Sequence, residues 1–240
     1  MGETRVLIAA AGAGSRAGLP YPKTLHPVEG RPILGRILDL LAVLDPEPTI
    51  VASPAGRPLV AQFLEAEGRS AHLLTQPSPT GMGDAVLHFD QSPAAIGAGT
   101  VVLIWGDIPY LSRATLDATL AHHRTSGAVL TFPSRHVDRA YTVISRDADG
   151  RVTGLEETRV TGRALEPGER DIGVFVFEAG PVLDALRTSA SRHDPSSGEH
   201  GFLQVIARLA ERGDRVDALP IATQRELISL NALSDLETQA

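Results

Sequence analysis

"AAAGAGSRAG", residues 9–18, follows directly on the apolar run Val6-Leu7-Ile8, and its reading decides the fold. Within it, Gly12-Ala13-Gly14-Ser15-Arg16-Ala17 satisfies G-x-G-x-x-A, the turn that cradles the pyrophosphate of a dinucleotide. Such a turn must open a continuous helix whose N-terminus faces the phosphates. Here Gly18, Pro20 and Pro22 interrupt any helix that starts at the second glycine. The acidic residue expected to grip a ribose about 20 residues further on would be Asp39, which falls inside the amphipathic segment 32–44 and not at a strand end. The dinucleotide reading fails both tests. What remains is a loop of small residues bearing Arg16, followed by an extended Pro20-Tyr21-Pro22 lead-in to Lys23. Small residues let backbone N–H groups approach a polyphosphate, an arginine grips its oxygens in a bidentate fork, and a lysine adds a point charge. A plain tight turn accounts for Gly12 and Gly14 but not for the second basic residue. Lys23 is the chain's only lysine; all its other cationic side chains except histidine are arginines. Its retention in so arginine-biased a chain points to a need for a compact ammonium, which the planar guanidinium does not reproduce.

Composition narrows the classes further. A chain of 240 residues with 42% hydrophobic content buries a sizeable core, built mainly from aliphatic side chains because aromatics make up 4%. A formal charge of −7 argues against general nucleic-acid binding while permitting a local basic pocket. Without cysteine there is neither disulfide nor thiolate catalysis, and a cytoplasmic location is expected. No apolar run reaches the length of a membrane span. Only Arg5 precedes the Val6–Ala11 run as a basic residue, so a secretory leader is not expected.

Along the chain, strand patterns alternate with helical ones. Strands are expected at Arg5–Ala10, Thr49–Ser53, Thr100–Trp105, Ala128–Pro133, Asp171–Phe177 and Val216–Pro220. Helices are expected from Pro32, over Pro58–Glu67 and Gly83–Phe89, and from a Ser112 cap to about His123. Further helices are expected over Pro181–Thr188, Glu199–Arg212 and Arg225–Thr238. Tyr141–Arg146 and Arg151–Glu156 flank a turn ending in Asp149-Gly150 and read as a hairpin, and Ser189–Gly198 reads as a mobile polar loop. His122 and His123, adjacent on one helix, read as surface residues. The fold expected is α/β: a Rossmann-like, mostly parallel central sheet flanked by helices, with a small antiparallel insertion. Ligands of such sheets bind at the carboxyl ends of the strands, where Gly12 and Asp107 both lie.

The same residues resemble the signature of the sugar-1-phosphate nucleotidyltransferases. Ala10-Ala11-Gly12-Ala13-Gly14-Ser15-Arg16 and Pro22-Lys23 carry the first part. Three further segments are similar to the N-acetylglucosamine-1-phosphate uridylyltransferase domain: Gln76-Pro77-Ser78-Pro79-Thr80-Gly81-Met82-Gly83, Trp105-Gly106-Asp107-Ile108-Pro109-Tyr110-Leu111, and Glu199–Ile206 with Asn231 beyond it. The resemblance implies the nucleotide-diphospho-sugar transferase fold and one domain over residues 1–240, with a nucleotide-binding half, 1–134, and an acceptor-binding half, 135–240. The hexapeptide repeats of a left-handed β-helix are not expected. It implies transfer of a nucleotide from a nucleoside triphosphate, UTP favoured over CTP or dTTP, to a phosphorylated sugar, with release of pyrophosphate. Arg16, Lys23 and Asp107 are then the catalytic set, and Asp107 and Asn231 the ligands of Mg²⁺. Ala10, Ala11, Gly12, Gly14, Gln76, Gly81, Met82 and Gly106 would bind the nucleotide; Trp105, Thr142, Glu157 and Asp171 would bind the acceptor.

An aspartate after a strand is also a common helix cap, but Ser112 is better placed to cap the helix that follows, which favours the metal role for Asp107. Asn231 has the cap of its own helix as its alternative. The chain departs from the pattern at Met82, where the family has threonine, at Thr142 in place of a glycine, and at Asp171-Ile172-Gly173 in place of an asparagine. A further departure is His200-Gly201-Phe202-Leu203-Gln204. The transfer machinery is therefore kept while the acceptor pocket differs, and a carboxylate at Asp171 suits an amine. A cytidylyltransferase acting on a non-sugar phosphate or phosphonate, and a catalytically silent nucleotide-sugar sensor, are the alternatives. Oligomeric state is left open.

Overall fold

The structure is a computed structural model that describes residues 2–12, 18–78, 80–158, 162, 164–189 and 201–230. Strand β1 (Glu3–Ala10) lies at the centre of the sheet, parallel to β6 (Ala98–Trp105) on one side and β4 (Thr49–Ala52) on the other. Val6, Leu7 and Ile8 are all fully buried, as a strand covered on both faces requires. Successive side chains point to opposite faces. Val6 and Ile8 therefore join a core with α1 (Ile33–Leu41), α2 (Gly56–Ala66) and α4 (Arg113–Ser126). Leu7 joins the other core, with α3 (Met82–Asp90), α5 (Ala179–Ser189) and α6 (Gln204–Glu211).

The eight-stranded sheet runs β10 (Glu166–Asp171), β7 (Leu130–Ala140), β11 (Val174–Glu178), β6, β1, β4, β5 (His72–Thr75), with β12 (Val216–Leu219) alongside β7. Four of its pairings are parallel (β1–β4, β1–β6, β4–β5 and β12–β7), while β11 is antiparallel to both neighbours and β10 to β7. Two small ribbons complete the architecture: β2 (Pro27–Val28) with β3 (Arg31–Pro32), and β8 (Thr142–Arg146) with β9 (Val152–Glu157). Helix α4 begins at the expected cap: the Ser112 side chain accepts from the Thr115 N–H, and the helix stops at Gly127 in the left-handed region. Among the described residues no helix is long and apolar enough to cross a membrane.

Several expectations need correction. The strand expected from Asp171 to Phe177 is two strands: Asp171 ends β10, Gly173 at φ +77° turns the chain, and β11 begins at Val174. Strand β7 does not stop at Pro133 but runs on to Ala140. The proline marks where the strand changes partner, from β11 and β12 to β10, a place where a missing N–H donor is tolerated. The described part of the helix expected over Arg225–Thr238 opens on a 3₁₀ turn, Arg225–Leu227, after which the chain is extended at Ile228, because Glu226 points inward and not along a helix surface; positions 231–238 lie outside the described residues. The Pro27–Pro32 ribbon carries too few residues to register as a pattern, and β5, as long as β4, is an edge strand without the fully buried apolar run that marks β4. The described part of the helix expected from Glu199 begins at Gln204, while residues 190–198 of the loop expected to be mobile and the first two of that helix, 199 and 200, lie outside the described residues. His123 is not a surface residue: it is buried between α4 and the sheet, its Nδ1 within 3.0 Å of Thr131 Oγ1, and burial pushes its pKa down. His122 sits 2.7 Å from Asp217.

Gly173 is a test of this geometry. A Cβ there would stand 2.9 Å from the Trp105 ring on a backbone that side chains rarely adopt. Gly173→Ala is expected to cost about 2 kcal/mol or more, read as a lower urea midpoint. Gly154→Ala, whose Cβ would meet nothing nearer than 3.9 Å, is the control that shifts little.

Candidate active site

The carboxyl ends of β1 and β6 lie side by side, with Ala9 in register with Trp105. The Gly106 N–H donates to the Ala9 carbonyl at 2.9 Å, and a Cβ on Gly106 would come within 3.0 Å of that oxygen and 3.1 Å of the Ala10 methyl. A side chain here would oblige the end of β1 to give by a few tenths of an ångström, so glycine suits so close a turn. Asp107 follows it into the mouth of the sheet. Lys23 arrives from the other direction, at the start of the 3₁₀ turn Lys23–Leu25. Pro22 fixes that approach, packed so tightly on the start of α2 that a Cβ on Gly56 would lie 2.8 Å from its ring. The Lys23 side chain is mostly buried, and its Nζ stands 3.9 Å from Asp107 Oδ2. Ala9, Ala10, Gly12, Lys23, Thr24, Met82, Trp105, Gly106 and Asp107 together line a cleft of ≈ 170 Å³. Ala10, Gly12, Lys23, Met82, Trp105, Gly106 and Asp107 were all legible in the sequence. Ala11 lies beside the cleft without lining it.

Thr24 was not foreseen. Its hydroxyl and the Trp105 indole N–H are buried with no hydrogen-bond partner among the described residues, and both side chains line the cleft. Unsatisfied buried polar atoms of this kind mark a place where a polar ligand completes the bonding.

Gln76 ties together the two ends of the segment that leads into α3. Gln76 is buried, and its amide nitrogen donates to the Gly81 carbonyl at 2.9 Å and lies 3.2 Å from Thr80 Oγ1, which engages its donor inside the loop. Gly81, at φ 101°, turns the chain into α3, so Met82 enters the cleft from the first residue of that helix.

A second tether reaches Asp107 from the far end of the chain. The Leu230 N–H donates to the Asp107 carbonyl at 2.9 Å, one residue before Asn231 in the sequence. That segment is anchored by Glu226, a carboxylate that is 2% exposed. It accepts from the Thr223 N–H at 2.8 Å, the Ser112 N–H at 2.9 Å and the Thr115 hydroxyl at 3.0 Å. Burial pushes the Glu226 pKa upward, but these donors outweigh it and hold the carboxyl below its usual range. The sequence concealed this residue, since a glutamate in an amphipathic run reads as a solvated face.

Of the residues expected to bind an acceptor, Trp105 ends β6, and Thr142, Glu157 and Asp171 lie on the ribbon and β10. Thr142 and Glu157 are opposite one another across β8 and β9. Thr142 is fully buried and donates to Asp171 Oδ1 at 2.6 Å, and the other Asp171 oxygen accepts from the Gly173 N–H at 2.7 Å. Asp171 is therefore a brace between β10, the ribbon and the Gly173 turn, fully buried and with each oxygen accepting one bond from the protein. Glu157 is half-buried at the ribbon's end. Arg16, Gly14 and Asn231 lie outside the described residues.

The donor chemistry fits the expected metal. Among the described residues no three His, Asp or Glu side chains converge. One carboxylate at a strand end suits an ion that takes its other ligands from phosphate oxygens and water, as Mg²⁺ does.

A parallel α/β sheet with a small-residue loop, a lysine and an aspartate at its carboxyl edge defines the class of nucleotide-handling α/β transferases. The chain matches the family described as the MobA-like NTP transferase domain over residues 6–172, and it belongs to that family. It is 33% identical over 230 residues to the bifunctional protein GlmU of Streptomyces griseus subsp. griseus, covering 94% of this chain and 47% of that protein. The bifunctional protein GlmU of Leifsonia xyli subsp. xyli is 31% identical over 243 residues, 98% of this chain and 49% of its own length. That of Mycobacterium marinum is 34% identical over 224 residues, 90% and 45% respectively. The chain thus spans about half the length of the curated relatives it matches.

The Glu226 anchor has a pH signature. A carboxyl held below its unfolded pKa stabilises the fold above about pH 4.3, and that stability is lost as pH falls through the folded value. Glu226→Gln is expected to be less stable than the wild type by about 1–3 kcal/mol at pH 7. The difference should shrink below about pH 4. Denaturant melts across that range check it.

Proposed function

We propose that the chain is a Mg²⁺-dependent nucleotidyltransferase that moves a nucleoside monophosphate from a nucleoside triphosphate, UTP favoured over CTP and dTTP, to a sugar-1-phosphate. The observation that carries this reading is the meeting of Lys23 and Asp107, 3.9 Å apart, on a floor of small residues. Nothing in a simple turn requires a buried lysine beside an aspartate at the mouth of a parallel sheet. Membership of the NTP transferase family supports the reaction class, and the sequence resemblance to uridylyltransferase domains supports the acceptor.

In the reaction an oxygen of the acceptor phosphate attacks the α-phosphorus, a new P–O bond forms, the bond to the β-phosphate oxygen breaks, and pyrophosphate leaves with that electron pair. Both reactants are anions, so bringing them into line and neutralising them is the main catalytic task. Ala9, Ala10, Gly12 and Gly106 leave the room in which a triphosphate lies against backbone. Lys23 brings a desolvated ammonium to the phosphates, where low dielectric strengthens its effect, and Arg16 supplies the second cation. Asp107 and Asn231 would hold Mg²⁺, which when bound supplies charge neutralisation at the α-phosphate. The Thr24 hydroxyl and the Trp105 indole are further donors to the bound ligands. Residues 1–134 then form the nucleotide half and 135–240 the acceptor half of one domain, in a cytoplasmic enzyme.

The braced Thr142–Asp171 pair favours one second reading, transfer to a non-sugar phosphate or phosphonate, because it fills with protein a place expected to face the sugar. A pyrophosphate-release screen of the common nucleoside triphosphates against sugar-1-phosphates, aminosugar phosphates and phosphonates decides between them. Release with UTP and a sugar-1-phosphate is expected; no release with any pair would overturn the reading.

Asp107→Asn should lower the rate of pyrophosphate release by about 100-fold or more with an unchanged melting temperature. Lys23→Arg keeps the charge but brings a bulkier planar group into a buried position. A loss of about tenfold or more is expected, and near wild-type kinetics would remove the special role of the lysine.

A further inference from the structure

Arg170 sits in β10 and is buried, at 7% exposure. The flat face of its guanidinium lies over the Tyr141 ring, with Cζ 3.8 Å from the centroid, and its Nε donates to the Asp171 carbonyl at 3.1 Å. Nothing else in the described protein engages it. The two carboxylates that flank it in sequence are occupied elsewhere: Asp171 by Thr142 and the Gly173 N–H, Glu169 by Ser134 and Arg146. Tyr141 is no counterion either. Its phenol is buried, burial pushes its pKa upward, and it stays neutral. A buried guanidinium that no carboxylate among the described residues hydrogen-bonds is ordinarily retained for a ligand. The stack on Tyr141 fixes the guanidinium plane and leaves the Nη edge, the bidentate face, without an acceptor among the described residues. The position is also telling. Tyr141 hydrogen-bonds Ser229 and feels the charge of Asp107, so the pair lies within electrostatic reach of the reacting centre, on strands of the acceptor half.

We propose that Arg170 is the anion receptor of the acceptor subsite, its Nη edge taking an anionic oxygen of the acceptor in a bidentate pair. The assignment rests on the nucleotidyl-transfer reading above. Two groups supply that chemistry: the acceptor's own phosphate, or a second acidic group such as a sugar carboxylate. The ring of Tyr141 is the positioning surface that holds the fork flat.

The test uses N-acetylglucosamine 1-phosphate and glucuronic acid 1-phosphate with the wild type, Arg170→Met and Arg170→Lys. Each acceptor is titrated calorimetrically without nucleotide, and its KM is measured at saturating nucleotide. Arg170→Met is expected to weaken binding of at least one acceptor by about tenfold or more, with the nucleotide KM unchanged. Equal loss for both acceptors assigns the reacting phosphate; loss confined to the glucuronic acid derivative assigns the second group. Arg170→Lys keeps the charge without the fork, should recover only part of the loss, and decides the matter if the methionine variant does not fold. Unchanged acceptor binding in a folded variant overturns the proposal, as does an equal loss in nucleotide KM, or a wild type that binds neither acceptor. A wild type that binds an acceptor but releases no pyrophosphate sinks the transfer reading, while the binding titrations still judge Arg170.

Discussion

The site depends on one close approach, Gly106 lying against the end of β1. The 2.9 Å bond from its N–H to the Ala9 carbonyl, with little room for a Cβ, joins two strand ends and sets the direction in which Asp107 leaves the sheet. Lys23 reaches the same point through a proline packed on the start of α2, so two independent steric limits fix the two charges. Electrostatic catalysis works through groups held before the substrate arrives. Here backbone and ring contacts do the holding, and they leave the charged side chains to face the cleft.

The first half of the fold was legible because its signals are local. A continuous apolar run makes β1, helical spacing makes α1, and a serine cap opens α4. The cleft followed from the same signals, since strand ends in a parallel sheet converge and the residues at them are named by the pattern. The second half was less legible for a physical reason. Strand β10 reads Glu-Pro-Gly-Glu-Arg-Asp, a polar sequence whose charged members find buried partners only through tertiary contacts with Ser134, Arg146, Thr142 and Tyr141. Hydrophobic periodicity carries no trace of such bonds. Glu226 escaped notice in the same way, made internal by partners distant in sequence, and His123 reads as a surface residue because nothing in its helix's pattern announces its bond to Thr131.

Strand β7 links the two halves. Its first residues pair with β11 and β12 in the main sheet, and after Pro133 it pairs with β10, which carries Arg170 and Asp171. The β10 edge that carries Arg170 and Asp171 is thus a continuation of the sheet that holds β1 and β6 and not a separate lobe on a linker. Its position relative to Asp107 is carried by continuous strand hydrogen bonding.

The Leu230–Asp107 bond bears on how the molecule comes to be made. It joins positions 107 and 230, and the Glu226 contacts to Ser112 and Thr115 span similar separations of 114 and 111 residues. Contacts so distant in sequence form late, after the loops between them have closed. During synthesis, which proceeds from the N-terminus, β1, the loop after it and the Asp107 turn all emerge long before the segment that anchors the turn. A growing chain therefore carries Lys23 and Asp107 for more than 100 residues of elongation before the Glu226 anchor and the Leu230 tether can form. The order of assembly keeps the finished site from existing on an unfinished protein.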